Sequence, residues 1–519
     1  MCIMHELCIM HMFAPGTVAR GDLTTSVLAR SFVSEPAFVR ARKSVRPNVL
    51  VGLLAVTGTV VAMMQTLVVP LVASLPKIFH APASDTSWII TITLLVGAVS
   101  TPVAGKLADM YGKKRMLLAC LIPLIMGSVL CALATTVPVM VAGRGLQGMA
   151  MGIIPLGISM LHDLLPEDRR PAAISLMSSS LGIGGAIGLP FSAAVAQFAS
   201  WRMLLWLIVA FAAVMFVLVA WLVPPPSRGI DRRRFDFVGA VGLGCGLIAL
   251  LLPISRGAEW GWTSTLVVGL FAAAVVILLV WAWWELRASA PLVDLRATGK
   301  PVVLLTNLTS ILVGFAMYSQ MLIIPQLLQM PAATGYGQGL SMLAMGLWIA
   351  PGGLAMSIMS PVGARITKRF GPKITLAIGA TVLAVAYATL ALVMSSLAGL
   401  VIGAFVASCG VGLAYGAMPT LILGAVPAHE KASANGLNTL MRSIGTSTSS
   451  AVIGVVLANL TISVGGYQVP SATGFLVSFL IGCGVAALAA VLALVIPARK
   501  PTRRRVEGAL PEESQLAAA

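Results

Sequence analysis

The chain has 519 residues, 58% of them hydrophobic and only 10% charged, with a mean hydropathy of +0.97. Soluble domains carry about 25% charged residues, so this is an integral membrane protein with little soluble mass. The net charge of +17 would point to nucleic acid in a soluble protein; here its distribution excludes that partner.

Taken in chain order, residues 1–46 form a basic leader, expected to be a disordered cytoplasmic tail. It opens with Cys2, His5, Cys8 and His11, which are metal-ligand types at tight spacing. They sit on an unanchored terminus with nothing to support them, so no metal is assigned. The repeated Cys-Ile-Met-His (2–5 and 8–11) fits a tail or a translational-start artefact equally well. No cleavable signal is apparent, since the first long apolar run follows the leader and is full length.

Apolar runs of about 20 residues, each able to span about 30 Å of hydrocarbon, then recur to the end of the chain. They are predicted at 47–73, 87–107, 116–136, 138–161, 173–196, 202–223 and 237–254. The rest are 266–286, 302–327, 341–363, 373–393, 397–424, 435–459 and 474–496, which makes fourteen helices. Alternation across these spans gathers Arg40, Arg42, Lys43, Arg46, Lys113 to Arg115, Arg169 and Arg170 on one face. Arg232 to Arg234, Arg365, Lys368, Arg369, Lys373 and Arg503 to Arg505 join them, whereas the opposite loops hold only Lys77, Arg202 and Arg256. This positive-inside bias predicts that both termini are cytoplasmic and that the basic face meets anionic lipid. Of the seven cysteines, Cys120, Cys131, Cys245, Cys409 and Cys483 read as small hydrophobes in or beside helices, not as a disulfide framework.

The chain repeats itself. Gly105-Lys-Leu-Ala-Asp-Met-Tyr-Gly-Lys-Lys-Arg115 is echoed by Gly363-Ala-Arg-Ile-Thr-Lys-Arg-Phe-Gly-Pro-Lys373, Pro166–Arg170 by Pro427–Lys431, and Gly184 by Gly445. One offset of about 260 residues relates all three pairs, so a six-helix unit is duplicated. The expected division is a tail (1–46), an N-terminal six-helix half (47–223), a linker with two extra helices (224–300), a C-terminal half (301–496) and a cytoplasmic tail (497–519).

The Gly105–Arg115 segment resembles the loop between helices 2 and 3 of major facilitator superfamily transporters. Val141-Ala-Gly-Arg-Gly-Leu-Gln-Gly148 resembles the family's helix-4 motif, and Gly182-Ile-Gly-Gly-Ala-Ile-Gly-Leu-Pro190 its glycine-rich antiporter motif, with Leu189 interrupting the usual Gly-Pro pair. Arg234-Phe-Asp-Phe-Val-Gly239, Glu259-Trp-Gly-Trp262, Glu285 and Pro291-Leu-Val-Asp294 resemble spacer-helix features of the fourteen-helix drug/proton antiporter branch. The resemblance covers about residues 45–497. It implies an all-α polytopic fold of two six-helix halves plus two spacer helices, and a functional monomer in a bacterial inner membrane. It further implies alternating access, with export of small amphipathic compounds (drug or metabolite efflux) driven by protons.

The expected gating segment is Gly105, Asp109, Gly112, Lys113, Lys114 and Arg115, with Asp109 holding a latch at a helix terminus or against a cation. Arg144 lies deep in an apolar helix, where a charge must face protein or water; with Gln147 and Gly148 it is implied in the coupling switch, or is pinned by backbone carbonyls. Gly184, Gly188 and Pro190, with Gly185, allow close packing and a bend. Candidates for the substrate cavity are Gln65, Tyr318, Gln320, Gln326, Trp348 and Arg442, the glutamines being equally suited to plain interhelical hydrogen bonding.

None of the seventeen acidic residues sits at the centre of a predicted span, and Gln65 stands where relatives carry a helix-1 aspartate. Gln does not titrate. Either a net positive cavity, from Arg144 and Arg442, favours neutral or anionic solutes, or the proton is carried by Asp163, Asp109 or the substrate itself. No cofactor is expected. No Ser/His/Asp set, His/Glu metal cluster or phosphate-binding loop is present, which disfavours an enzyme or an ATP-driven pump. Uptake or facilitated transport, and a non-transporting sensor on the same scaffold, remain the alternatives.

Overall fold

The computed structural model describes residues 46–68, 75–198, 200–224, 235–464 and 467–497. The Cys2–His11 motif, Arg40, Arg42, Lys43, Arg232 to Arg234 and Arg503 to Arg505 lie outside them.

Among the described residues, fourteen helices are long and apolar enough to cross a membrane. In the first half these are α1 (Pro47–Thr66), α3 (Ala83–Tyr111), α4 (Lys113–Ala132), α7 (Arg170–Phe198) and α8 (Trp201–Leu222). The remaining crossing is made by α5 (Val137–Gly148) and α6 (Ile153–Leu164), joined by a 3-10 stretch at Met149–Gly152. A short α2 (Leu75–Phe79) precedes α3. The spacer pair is α9 (Phe237–Trp260) and α10 (Thr265–Glu285), followed by the one-turn α11 (Leu295–Thr298). The second half holds α12 (Pro301–Gln329), α13 (Met342–Phe370), α14 (Pro372–Val393), α15 (Leu397–Ala425), α16 (Lys431–Asn459) and α17 (Ala472–Val495).

Local chemistry sets these boundaries. The side chains of Ser264, Ser341, Ser396, Ser471, Asp236 and Asp294 each accept a hydrogen bond from a first-turn amide, as N-caps do. Proline begins α1, α12 and α14, where its missing N–H costs nothing. Gly112 (φ 97°) and Gly371 (φ 88°) separate α3 from α4 and α13 from α14 in a conformation that side chains oppose. The two members of the sequence echo thus make the same break.

Three expectations are corrected. The charged segment at Gly105 is no loop: α3 stays helical to Tyr111 and only Gly112 breaks it, because a charged helix end is solvated without unwinding. Arg256 is not in a loop either; it lies inside α9, 3% exposed, with Nη1 2.5 Å from Glu259 Oε2 and its guanidinium 4.4 Å over Trp88. Pairing and stacking compensate its burial. A two-stranded antiparallel hairpin, β1 (Thr461–Val464) and β2 (Tyr467–Pro470), interrupts the otherwise helical fold between α16 and α17.

One apolar cluster runs from Leu50 to Val223, closed by Leu423 and Ala432. A second runs from Val313 to Ile496. They meet where α7 packs along α13 and where α3 packs along α16. A third cluster joins Leu95 and Ala98 of α3, Leu243 and Leu247 of α9, and Leu437 and Leu440 of α16. The spacer helix α9 therefore straddles both halves.

Candidate functional site

The seam between the halves is polar at the end of the bundle where Gly112 turns the chain. Asp109 accepts backbone hydrogen bonds from Ala432 at 3.1 Å and Ser433 at 2.8 Å. These first-turn amides of α16 have no intrahelical partner, and the helix dipole adds positive potential there. Gly105 allows the approach, since a Cβ at that position would lie 2.6 Å from the Ala432 carbonyl oxygen.

A second bridge lies beside it. Asp163, at the end of α6, takes Lys113 Nζ of α4 at 2.5 Å and Lys431 Nζ of α16 at 3.2 Å. His162 Nδ1 is 3.2 Å from the same lysine, and Asn435 Nδ2 donates to the Pro155 carbonyl at 2.9 Å. Lys114 instead caps α8 of its own half through the carbonyls of Ala220 and Val223, and Arg115 is exposed.

The linker after α10 reaches this seam. Ser433 Oγ donates to the Leu292 carbonyl at 3.0 Å, while Arg296 Nη2 donates to the Leu286 carbonyl at 3.1 Å. Glu285 is 2% exposed; the Leu292 and Val293 amides and the Trp281 indole face its carboxylate outside hydrogen-bond geometry. A cavity of about 220 Å³ lies under the linker, bounded by Lys106, Asp109, Glu285, Arg296 and His429.

Deeper in the first half, Arg144 is 2% exposed. Its Nε donates to the Ile89 carbonyl of α3 at 3.2 Å, and its Nη1 to the Met64 carbonyl of α1 at 3.3 Å and to Gln147 Oε1 at 2.8 Å. Gln147 passes the chain on to Ser128 Oγ at 2.8 Å. No carboxylate is in this network; carbonyl dipoles solvate the cation. Gly148 sits against α3, a Cβ there falling 2.6 Å from the Thr93 carbonyl oxygen.

The glycine-rich stretch serves two neighbours. Gly184 and Gly188 press α7 onto Ala62 and Thr66 of α1, with Thr66 Oγ1 donating to the Gly184 carbonyl at 3.3 Å. Gly185 looks toward Thr66 from farther away, and Pro190 lies against Gly346 of α13. One helix thus carries packing within its half and across the seam.

Among the described residues, no hydrogen bond or ring contact joins one of the six cavity candidates to another. Gln65 and Tyr318 are half-buried, and Gln326 and Trp348 are exposed. Gln320 is committed within its own half, its Nε2 donating to the Ala404 carbonyl at 3.0 Å and Ser408 Oγ at 3.2 Å. Arg442 is buried over the Tyr415 ring at 4.6 Å. Sequence reasoning names one side of the seam only. It misses Ser433 and Asn435, although the echo of Pro166–Arg170 in Pro427–Lys431 marks where they begin.

The family model of the Major Facilitator Superfamily matches residues 54–450. An uncharacterized MFS-type transporter of Mycobacterium tuberculosis (strain ATCC 25618 / H37Rv) is 29% identical over 427 residues, covering 80% of this chain and 60% of the relative. The chain thus matches less than two thirds of that protein's length. The multidrug resistance protein Stp of the same strain is 28% identical over 376 residues, covering 72% of this chain and 68% of Stp. Among solved structures, the human organic anion transporter MFSD10 (TETRAN) aligns with a TM-score of 0.61 at 16% identity, covering 86% of this chain and 99% of that one. That last likeness is one of fold.

Proposed function

The chain belongs to the Major Facilitator Superfamily, and on that premise we propose that it is a secondary transporter exporting small amphipathic compounds across a bacterial inner membrane. Transport proceeds by alternating access coupled to the proton gradient, with the Gly112 end and both termini on the cytoplasmic side. The observation that carries this reading is the seam at that end. Two bridges, Asp109 to the α16 amides and Asp163 to Lys431, join the halves at this end through polar contacts. Alternating access needs contacts of that kind, made in one state and broken in the other.

In this reading Gly105, Asp109, Gly112 and Lys113 form the gate, and Arg144, Gln147 and Gly148 the switch. Gly184, Gly188 and Pro190 form the flexing helix, and Gln65, Tyr318, Gln320, Gln326, Trp348 and Arg442 are the residues that meet solute. The coupling proton is carried by Asp163, Asp109 or the solute. The residue ranges 47–223, 224–300 and 301–496 act as first half, spacer and second half of a monomer. The resemblance to a multidrug resistance protein supports efflux as the direction.

A second reading has its own observation. Every Asp and Glu among the described residues lies near a helix end or in a connection, and Gln65 occupies the last turn of α1. A carrier of neutral or anionic solutes, facilitative or inward-directed, needs no central carboxylate.

Everted membrane vesicles with an acid interior test both. Lipophilic cations, neutral amphiphiles and amphipathic anions are added in turn while a pH-gradient probe is followed. Solute-dependent collapse of the gradient only in vesicles holding the protein supports proton-coupled export; protonophore-insensitive flux supports the second reading. Binding without any flux would leave a sensor.

A further inference from the structure

Besides Arg256, which pairs with Glu259, Arg144 and Arg442 are buried within helices, and they are solvated in opposite ways. Arg144 spends its donors on Ile89, Met64 and Gln147. Arg442, on α16, is 5% exposed, donates from Nη2 to Thr439 Oγ1 at 3.0 Å and has no partner for Nη1. The ion pairs seen among the described residues, of Lys113, His162 and Lys431 with Asp163, Arg170 with Glu167, Arg256 with Glu259 and His429 with Glu430, do not include it. The Tyr415 ring 4.6 Å away offers its face but no countercharge.

The neighbouring seam is also unfinished. Asn438 lies one turn before Arg442 on α16, and its Nδ2 donates to Asn307 Oδ1 at 2.9 Å and Ser310 Oγ at 2.7 Å of α12. That leaves Asn307 Nδ2 and Asn438 Oδ1 buried without partners. Gly314 continues the same seam, where a Cβ would lie 2.6 Å from the Arg442 carbonyl oxygen. The close backbones hold Asn307, Ser310, Asn438 and Arg442 along one line.

Burying an ion without a countercharge is costly, and such groups inside membranes persist where they are used. A guanidinium with a free arm matches the oxygens of a carboxylate or sulfonate. We propose that the junction of α12, α15 and α16 is an anion subsite of the transport pathway. Arg442 is its charge anchor and the Asn307–Asn438 pair supplies its remaining polar contacts. The ligand is the acidic group of an amphipathic solute, and the proposal rests on the transporter reading above. Because α16 carries both Arg442 and the amides held by Asp109, an anion bound at Arg442 acts on the helix that the gate holds.

The test uses the full chain in proteoliposomes under a proton gradient, with taurocholate and octanoate as amphipathic anions, tetraphenylphosphonium as cation, and chloride and inorganic phosphate as free anions. Wild type is expected to move the amphipathic anions. Arg442→Gln lowers that flux at least tenfold, and Arg442→Lys keeps part of it. In detergent, taurocholate raises the melting temperature of wild type but not of Arg442→Gln, which reports the site independently of transport. If no probe moves yet this Arg442-dependent shift is present, the transporter reading falls and the anion site stands. Anion flux and thermal shift that survive Arg442→Gln overturn the site. A shift produced by chloride or phosphate but by neither amphipathic anion overturns its assignment to the solute.

Discussion

Asp109, near the end of α3, and Ser433, in the first turn of α16, are 324 positions apart in the chain and 2.8 Å apart across the seam. The carboxylate meets a backbone amide there, so the contact depends on a helix end and not on the side chain opposite. Ser433 is held a second time through its own hydroxyl, which donates to Leu292 of the linker. One residue thereby joins the first half, the spacer segment and the second half.

Asp109→Asn keeps an acceptor and removes the charge. Charge–dipole contacts of this kind contribute about 0.3–2 kcal/mol, so the ratio of shut to open protein should fall by up to about thirtyfold. Spin labels on Tyr111→Cys and His429→Cys, both exposed at this end, should show a broader and longer distance distribution. An unchanged distribution would remove Asp109 from the gate.

Gly105→Val places a side chain where even a Cβ would stand 2.6 Å from the Ala432 carbonyl. Backbone cannot yield as a side-chain tip does, and overpacking costs about 1–3 kcal/mol. The same label pair should separate further than with Asp109→Asn, and solute flux should fall.

Ser433→Ala removes the hydroxyl donated to Leu292 but keeps the amide that serves Asp109. The expected loss is about 1 kcal/mol. Labels across the α3–α16 seam should move less than with Asp109→Asn, while hydrogen exchange at 292–297 rises. Protection that stays at the wild-type level would show that the linker is held by other contacts.

Arg144→Lys keeps the charge and loses the fork that reaches Ile89, Met64 and Gln147 together. Interhelical hydrogen bonds in membranes contribute about 0.6–2 kcal/mol each, so the melting temperature should drop and transport be nearly lost. Wild-type turnover in the lysine variant would mean that charge alone suffices.

Gln65→Asp introduces a carboxylate in the last turn of α1, half-buried. If charge near this position selects solutes, export of lipophilic cations should appear or grow severalfold. The same solute spectrum before and after would separate Gln65 from selectivity.

Much of the architecture is legible in the chain because the bilayer imposes a length. Apolar runs, the glycines at 112 and 371 and the offset between the two echoes give fourteen helices and the duplicated plan. Helix ends are less legible: Arg256 reads as loop, yet it pairs with Glu259 within α9, which stays helical to Trp260. The polar seam is half legible. Asp109 is conspicuous as a carboxylate beside glycine, whereas its partners are backbone amides, which every residue but proline carries and no side chain announces.

The sequence by itself determined that this protein spans a membrane, how many times, and that its two halves share one plan, since burial of apolar length and local turn chemistry depend only on neighbouring residues. Tertiary structure alone decided which buried groups find partners. Arg144 and Arg442 are alike as residues in apolar helices, but carbonyls of α1 and α3 satisfy the first, and the α12–α16 seam leaves the second an unspent donor. Hydrogen bonds are directional and short, so their completion is set by how helices from distant parts of the chain come to lie side by side.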